Sequence, residues 1–217
     1  MIHFSIATAF AAQHQLGWDT TMSRVETPDG PQYEISVFPA ETEPVVYRTR
    51  GVLYDKGEFA ELFGRGTRVW KAVRIINGEE VGGTVALKDV WVDCARPKQG
   101  DIHSQILQSP YLSENKEMRE YILAIEHHGD VVVNGAKDYT LLIAPSSAGR
   151  LDGDDHFAPT GAIPACPSPS RSVHYRLVFA AVGTPLTEVR SLHTIFIALA
   201  DAVYGRYILI PQLLTHN

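Results

Sequence analysis

The chain has 217 residues, of which 45% are hydrophobic and 20% are charged, as expected for a globular domain with a substantial core. Its net charge of -6 argues against nucleic acid as the main partner, because a phosphate backbone is bound by a basic surface. No apolar run reaches the roughly 20 residues that span a bilayer. The N-terminus also lacks the basic residues of a secretory signal, so we expect an intracellular protein with no membrane partner.

The first 55 residues predict a weakly ordered extension or a small appended element. Turn residues at 27–31 precede alternating apolar and polar residues at 33–38, which indicate a strand. A short strand is also expected at 45–49, after a break at 41–44.

The rest of the chain predicts a mixture of strands and helices, an α+β fold. β-branched and aromatic residues at 69–76 and 84–92, with Asn77-Gly78 between them, indicate a hairpin. Helical spacing of apolar residues predicts helices at 101–108, 114–125 and 192–204. Further strands are expected at 129–135, 141–143 and 173–182, with an insertion rich in Pro and Ser at 144–172.

Lys88 is the first candidate for chemistry. Ala86 and Lys88 lie two residues apart on a predicted strand, so they point to the same face. A small residue beside a lysine leaves room for a flat ring, while the ammonium supplies a point charge to phosphate oxygens. A lysine on the solvated face of a strand is the alternative interpretation.

A glycine turn precedes this hairpin. Gly64 and Gly66 would let the backbone approach a phosphate closely, although in isolation a plain turn is the favoured interpretation. A kinase N-lobe holds the phosphates of ATP with a glycine turn followed by a strand that carries a lysine. It is the order of the turn and Lys88 along the chain that favours this interpretation.

A lysine in that role is normally held by a carboxylate from a helix. Asp101, at the start of the first predicted helix, is the best placed candidate, and Glu114 and Glu117 are its rivals. Each of these acids is alternatively a solvated or helix-start charge.

No metal site is expected from the histidines or cysteines. His127 and His128 are adjacent, so a strand would point them to opposite faces, and no zinc-ligand spacing is present. Cys94 and Cys166 are too few for a disulfide framework.

The chain resembles the fungal-type protein kinases, a divergent family of eukaryotic-like kinases. The resemblance covers nearly the whole sequence in matching order. It rests on LGWDTTM at 16–22, GRGTRVWK at 64–71, LKDVW at 87–91, HGDV at 128–131, HYRLVFAAVGTPL at 174–186 and LADAV at 199–203.

The resemblance implies a role for each candidate residue. Lys88 would anchor the phosphates of ATP from the third strand, and Asp101 would take the place of the helix glutamate. The remaining nucleotide contacts would come from the glycine loop (Gly64 and Gly66), the adenine-pocket walls (Val69 and Ala86) and the hinge that passes the adenine (Ala181 and Val182). The family also uses Mg²⁺ and a protein substrate.

The chain departs from this family in one respect. The resemblance implies a His-Arg-Asp catalytic loop and an Asp-Phe-Gly-like metal motif after the helix at 192–204, and the sequence contains neither. We therefore expect residues 1–55 to be an extension and residues 56–217 to be an incomplete kinase domain, made of the N-lobe, the hinge and the first C-lobe helix. Such a fragment would contact ATP and be inactive alone.

Two other interpretations remain open. One is a non-catalytic, pseudokinase-like interaction module. The other is a small β-barrel-like binding domain with no kinase ancestry. A kinase relationship predicts a five-stranded antiparallel sheet with Lys88 facing a cleft beside the hinge, whereas a barrel would close the sheet and leave Lys88 outside.

Overall fold

The structure is a computed structural model that describes residues 9–12, 16, 18–40, 42–55, 66–140 and 171–214. This part of the chain has an α+β fold with one large antiparallel sheet and few helices, as predicted. The strands are β1 (Met22–Thr27), β2 (Gly30–Val37), β3 (Val45–Asp55), β4 (Arg68–Ile76), β5 (Glu79–Asp93), β6 (Ile125–Asp130), β7 (Val132–Val133), β8 (Ala136–Lys137) and β9 (Ser172–Phe179). The helices are α1 (Gln99–Leu107), α2 (Pro110–Glu114), two 3-10 helices (Lys116–Tyr121 and Leu186–Glu188) and α3 (Leu192–Leu214).

The large sheet has seven strands among the described residues, in the order β1-β2-β3-β4-β5-β9-β6. Each neighbouring pair is antiparallel. The five-stranded expectation is therefore wrong, because β1 and β2 extend the sheet beyond β3. Among the described residues, β1 and β6 each pair with one strand, so backbone pairing does not close the sheet, although β6 packs against the end of β2.

The predicted hairpin is present as β4 and β5. Its turn places Asn77 and Gly78 at φ values of 54° and 84°, and Asn and Gly are the residues that adopt this left-handed conformation most readily. The pairing begins at Ile76 and Glu79 and continues to Arg68 and Asp89, with one register shift.

The first 55 residues, which predict a weakly ordered extension or a small appended element, contribute β1, β2 and β3 to the large sheet. The alternating pattern of β2 buries Ile35 and Val37 completely, and both pack with Tyr47 of β3. The same core cluster is completed by Trp70, Ala72, Val85, Leu87 and Val178 from β4, β5 and β9. These strands are therefore bound to the sheet by burial of apolar side chains as well as by backbone hydrogen bonds.

The predicted helix at 114–125 is also wrong. The structure has α2, a 3-10 helix and then β6, which starts at Ile125 and pairs with β9. Asn115 interrupts the predicted helix with φ and ψ values of -116° and 72°, and residues 116–121 continue as a 3-10 helix. The strand predicted at 141–143 lies outside the described residues. The same is true of residues 144–170 of the predicted insertion.

The last two predicted elements are present with different bounds. The strand expected at 173–182 is β9, which ends at Phe179, and the helix expected at 192–204 is α3, which continues to Leu214. A search of the described residues for membrane-spanning helices found none that is both long and apolar enough.

Candidate functional site

Lys88 lies on the face of the sheet that also carries α1. In the register of the sheet it is opposite Val69 of β4 and Leu177 of β9, and its side chain is half-buried. The ammonium Nζ donates a hydrogen bond of 2.9 Å to Oε1 of Gln99, the first residue of α1. Ala86, two residues earlier, is buried on the same face.

The geometry of α1 explains why Gln99 reaches Lys88. Gln99 lies three residues before Ile102 and Ile102 four before Ile106, so the three side chains lie on one side of the helix, where Ile106 is buried, Ile102 is half-buried and Gln99 is exposed. Asp101 is exposed and about 200° around the helix axis from Gln99, because each residue advances about 100°. The apolar spacing of Ile102 and Ile106 is the sequence signal that could have identified Gln99.

A cavity of about 240 Å³ lies beside this contact, between β5, β9 and the start of α1. It contains two cationic side chains, Lys88 and Arg96, and one carboxylate, Asp93. Its other walls are Val90, Val92, Pro97, Gln99, Ile102, Tyr175 and Leu177. Among the described lining residues two cationic side chains and one carboxylate lie beside apolar walls, a composition that an anionic group joined to an apolar one would match.

The remaining predicted residues lie in several places. Val69 and Ala86 share the face of Lys88, although neither lines the cavity. Gly66 has a φ of 51°, the left-handed region that favours glycine, and a side chain there would approach Cδ1 of Trp91 to 3.3 Å. Ala181 is exposed and Val182 is half-buried, just after β9 ends.

Three further predicted residues add no contact to this geometry. Gly64 lies outside the described residues. Glu114 and Glu117, the rivals of Asp101, are both exposed, in α2 and the first 3-10 helix. The carboxylate role of Asp101 stays a prediction.

The start of α1 is held by residues that the sequence did not reveal. The backbone N–H of Gly100 donates a 3.2 Å hydrogen bond to the hydroxyl of Tyr175, and this hydroxyl lies 2.9 Å from Nδ1 of His128. Burial raises the pKa of Tyr175, so its hydroxyl keeps its proton. A Cβ at Gly100 would overlap both the His128 ring and the Tyr175 hydroxyl.

An ion pair lies next to this contact. Lys98, the residue before α1, pairs with Asp130 at 2.5 Å, and Lys137 pairs with the other oxygen of the same carboxylate at 2.7 Å. Burial alone would raise the pKa of Asp130, but the hydrogen bonds from Lys137 and Lys98 lower it further than burial raises it. Asp130 is therefore a carboxylate under ordinary conditions.

The opposite face of the sheet holds a second polar cluster. Arg176 of β9 is completely buried, and its guanidinium pairs with Asp19 and, at 3.4 Å, with Asp89. It also donates 2.7 Å hydrogen bonds to the Thr21 hydroxyl and to the Ser36 carbonyl. This arginine fastens the segment before β1 to the sheet.

His174 extends the same cluster. Its Nε2 lies 2.5 Å from Asp89 and its Nδ1 lies 3.0 Å from Asp138, while Trp91 stacks on the ring at 4.6 Å. Asp19, Asp89 and His174 are close enough to share a cation, but both of these carboxylates already pair with Arg176. The cluster is thus an ion-pair network.

The histidines of β6 divide between the two faces, as predicted for adjacent residues in a strand. His128 contacts Tyr175 on the α1 side, whereas His127 contacts Tyr47 of the core cluster, with 2.6 Å between Nδ1 and the hydroxyl. The register agrees, because His128 is opposite Leu177 and His127 opposite Val178.

An antiparallel sheet with few helices and a lysine held from a neighbouring helix is compatible with a kinase-like fold. A family model described as fungal protein kinase matches residues 1–216, and the chain belongs to this family. The resemblance drawn from the sequence motifs is therefore confirmed. A search of curated proteins and a search of solved structures found no match.

Proposed function

We propose that this chain forms the ATP-contacting part of a fungal-type protein Ser/Thr kinase. The observation that carries the proposal is the position of Lys88. Counted from β3, Lys88 lies on the third strand, and the helix that follows this strand supplies its hydrogen-bond partner, Gln99. A kinase places its phosphate-binding lysine on the third strand and holds it from the next helix.

The other contacts follow from the same arrangement. In the sequence, Gly64 and Gly66 come between β3 and β4, where a kinase has its glycine loop, and the positive φ of Gly66 is consistent with such a turn. Val69 and Ala86 lie on the Lys88 face and would pack on the adenine. Ala181 and Val182 follow β9, the neighbour of β5, where the hinge would pass the base.

Gln99 gives this site a neutral partner for the lysine. An amide oxygen accepts a hydrogen bond from the ammonium without adding a negative charge beside the phosphates. The ammonium of Lys88 keeps its positive charge in this contact, and we infer that it would bind phosphate oxygens. Asp101 is the carboxylate that the family resemblance implies, and its exchange for Asn tests that role in the same assay.

We propose further that these residues bind ATP without transferring its phosphate. Phosphoryl transfer depends on a residue that orients the nucleophile and on Mg²⁺ held by acidic or amide side chains. The sequence contains no His-Arg-Asp or Asp-Phe-Gly segment that would supply them. The proposed role of residues 56–217 is thus nucleotide contact, with residues 1–55 as the proposed N-terminal extension, whose strands β1 to β3 belong to the same sheet.

A non-catalytic interaction module is the second candidate, and α3 favours it. Several large apolar side chains of this helix are exposed, among them Phe196 at 68% and Val203 at 70%. Together with Leu199, Ala200 and Tyr204 they line a shallow apolar groove. Exposed apolar surface of this kind is typical of a protein interface.

ATP binding separates the two candidates. We expect isothermal titration calorimetry to show saturable ATP binding by the purified chain, with and without Mg²⁺, and binding that is lost in Lys88→Met. Lys116→Met, which removes an exposed lysine from the first 3-10 helix, is the matched control and should leave the affinity unchanged. A folded wild-type chain that binds no ATP would sink the nucleotide proposal and favour the interaction module.

A further inference from the structure

One family motif has no part in the proposed ATP contacts. His128-Gly129-Asp130 lies in β6, yet two of its side chains reach towards the start of α1, where His128 meets Tyr175 and Asp130 meets Lys98. We propose that His128 and Tyr175 are positioning residues, which fix Gly100 so that Gln99 holds the ammonium of Lys88. The proposal rests on the proposed function, since it concerns the same lysine.

The Tyr175 hydroxyl joins the helix to the sheet. The N–H groups of the first turn of a helix have no partner within the helix, and that of Gly100 is bonded to this hydroxyl instead. Tyr175 is only 1% exposed, so water has almost no access to replace that bond. The second partner of the hydroxyl is Nδ1 of His128, which fixes its position.

Close packing adds to this constraint. Gly100 is buried, and any side chain there would overlap the His128 ring and the Tyr175 hydroxyl. Glycine is therefore the residue that allows α1 to approach β6 and β9 so closely. The start of α1 has a defined distance from the sheet as a result.

Gln99 lies between two anchored residues. Lys98 before it pairs with Asp130 at 2.5 Å, and its ammonium also lies 5.8 Å from the centre of the Tyr175 ring. Gly100 after it bonds to the Tyr175 hydroxyl. Because both neighbours are fixed, Gln99 is held within reach of Lys88. Loss of either anchor should weaken the hydrogen bond between these two side chains.

The second histidine of β6 provides a matched control. Tyr47 is another fully buried tyrosine whose hydroxyl contacts a β6 histidine, His127, but this pair lies on the opposite face of the sheet. Tyr175→Phe and Tyr47→Phe each remove one buried hydroxyl and keep the ring. A purely structural role should therefore affect both variants in the same way.

The experiment measures acetylation of Lys88 by acetic anhydride without nucleotide, using peptide mass spectrometry, and then the affinity for ATP. Because one hydrogen bond is worth about 1 kcal/mol, we expect Tyr175→Phe to change Lys88 acetylation and ATP affinity by about fivefold. Tyr47→Phe should leave both unchanged. His128→Ala and His127→Ala form a second pair in which the same difference is expected, and this pair decides the test if Tyr175→Phe does not fold.

The two proposals fail in different ways. Equal changes in Lys88 acetylation in the matched variants, or no change in Tyr175→Phe and His128→Ala, would overturn the positioning role. A wild-type chain that binds no ATP would overturn the proposed function, while the acetylation result would still decide whether His128 and Tyr175 position Gln99.

Discussion

Lys88 and Asp89 are neighbours in β5, but they lie on opposite faces of the sheet and in different surroundings. Lys88 is half-buried beside a cavity and its ammonium is held by a neutral amide. Asp89 is buried, and its carboxylate contacts the ring of His174 and the guanidinium of Arg176. A step of one residue thus separates a lysine that lines a cavity from a carboxylate that is buried in an ion-pair network.

The difference indicates what each face does. A buried carboxylate that is saturated by internal partners contributes to the unique folded arrangement, and removal of one partner is costly. A cation beside a cavity has the opposite character, since an anionic ligand can add to its contacts. The α1 face is therefore where we place binding, and the opposite face is where we place stability.

Arg176→Met should have the largest effect, because it leaves Asp19 and Asp89 without their buried cation. Loss of one member of a buried ion pair costs about 3–5 kcal/mol. We expect a decrease of that size in the free energy of unfolding, measured by urea denaturation. The matched control is Arg24→Met, whose pair with Glu26 is exposed at 60% and 71% and should contribute less than about 1 kcal/mol.

This pair of variants tests whether the face that carries Asp89 stabilises the fold. If Arg176→Met cost no more stability than Arg24→Met, the network around Asp89 would not stabilise the fold. The assignment of stability to that face would then be wrong.

The sequence allowed the strands of this network to be predicted but not the network itself. Alternation in β5 predicts that Lys88 and Asp89 point to opposite faces, and the Asn77-Gly78 turn predicts the β4–β5 hairpin. The meeting of Asp19 with Arg176, 157 residues apart, depends on the order of the strands in the sheet, which no local pattern contains. The motifs that hold both residues were recognised only as a family resemblance.

The candidate site was predictable to a similar extent. Lys88, Val69 and Ala86 lie on one face because of strand alternation and register. Asp101 was predicted as the partner of Lys88 from its charge and stays a prediction, whereas the hydrogen bond from Lys88 to Gln99 follows from the apolar face of α1, which determines the rotation of this helix on the sheet. The contribution of β1 and β2 to the core was missed since their short strands predict no specific partners.

Gly129→Ala should have the next largest effect, because it tests where β6 meets the end of β2. A Cβ at this position would overlap the backbone carbonyl of Phe38, which cannot rotate away as a side chain would. Overpacking of this kind costs about 1–3 kcal/mol in the free energy of unfolding. Gly83→Ala in β5, where a Cβ would meet nothing within 4 Å, is the control and should be close to neutral. Equal stability of the two variants would show that the β2–β6 contact relaxes freely.

The smallest expected effect is a change of the free energy of unfolding with pH. It distinguishes two histidines on the opposite face of the sheet, His174 and His127. Burial lowers the pKa of His174, but the hydrogen bond and the charge of Asp89 outweigh burial and raise it above 6.5. Its contribution is therefore complete below about pH 6.5 and is lost as the pH rises through the folded pKa. Burial and the charge of Arg74 lower the pKa of His127, so its contribution is present above pH 6.5 and is lost as the pH falls.

The two histidines should thus act in adjacent pH ranges, His127 below about pH 6.5 and His174 above it, and single variants should reveal each contribution. We expect His174→Asn to remove the loss of stability on going from about pH 6.5 to pH 9, and His127→Asn to remove the loss on going down to about pH 5. Urea midpoints measured across this range provide the test. The same slope in both variants would mean that neither histidine is coupled to folding in the direction that its surroundings indicate. The Asp89–His174 pair would then contribute to the opposite face through packing with Trp91 rather than through charge.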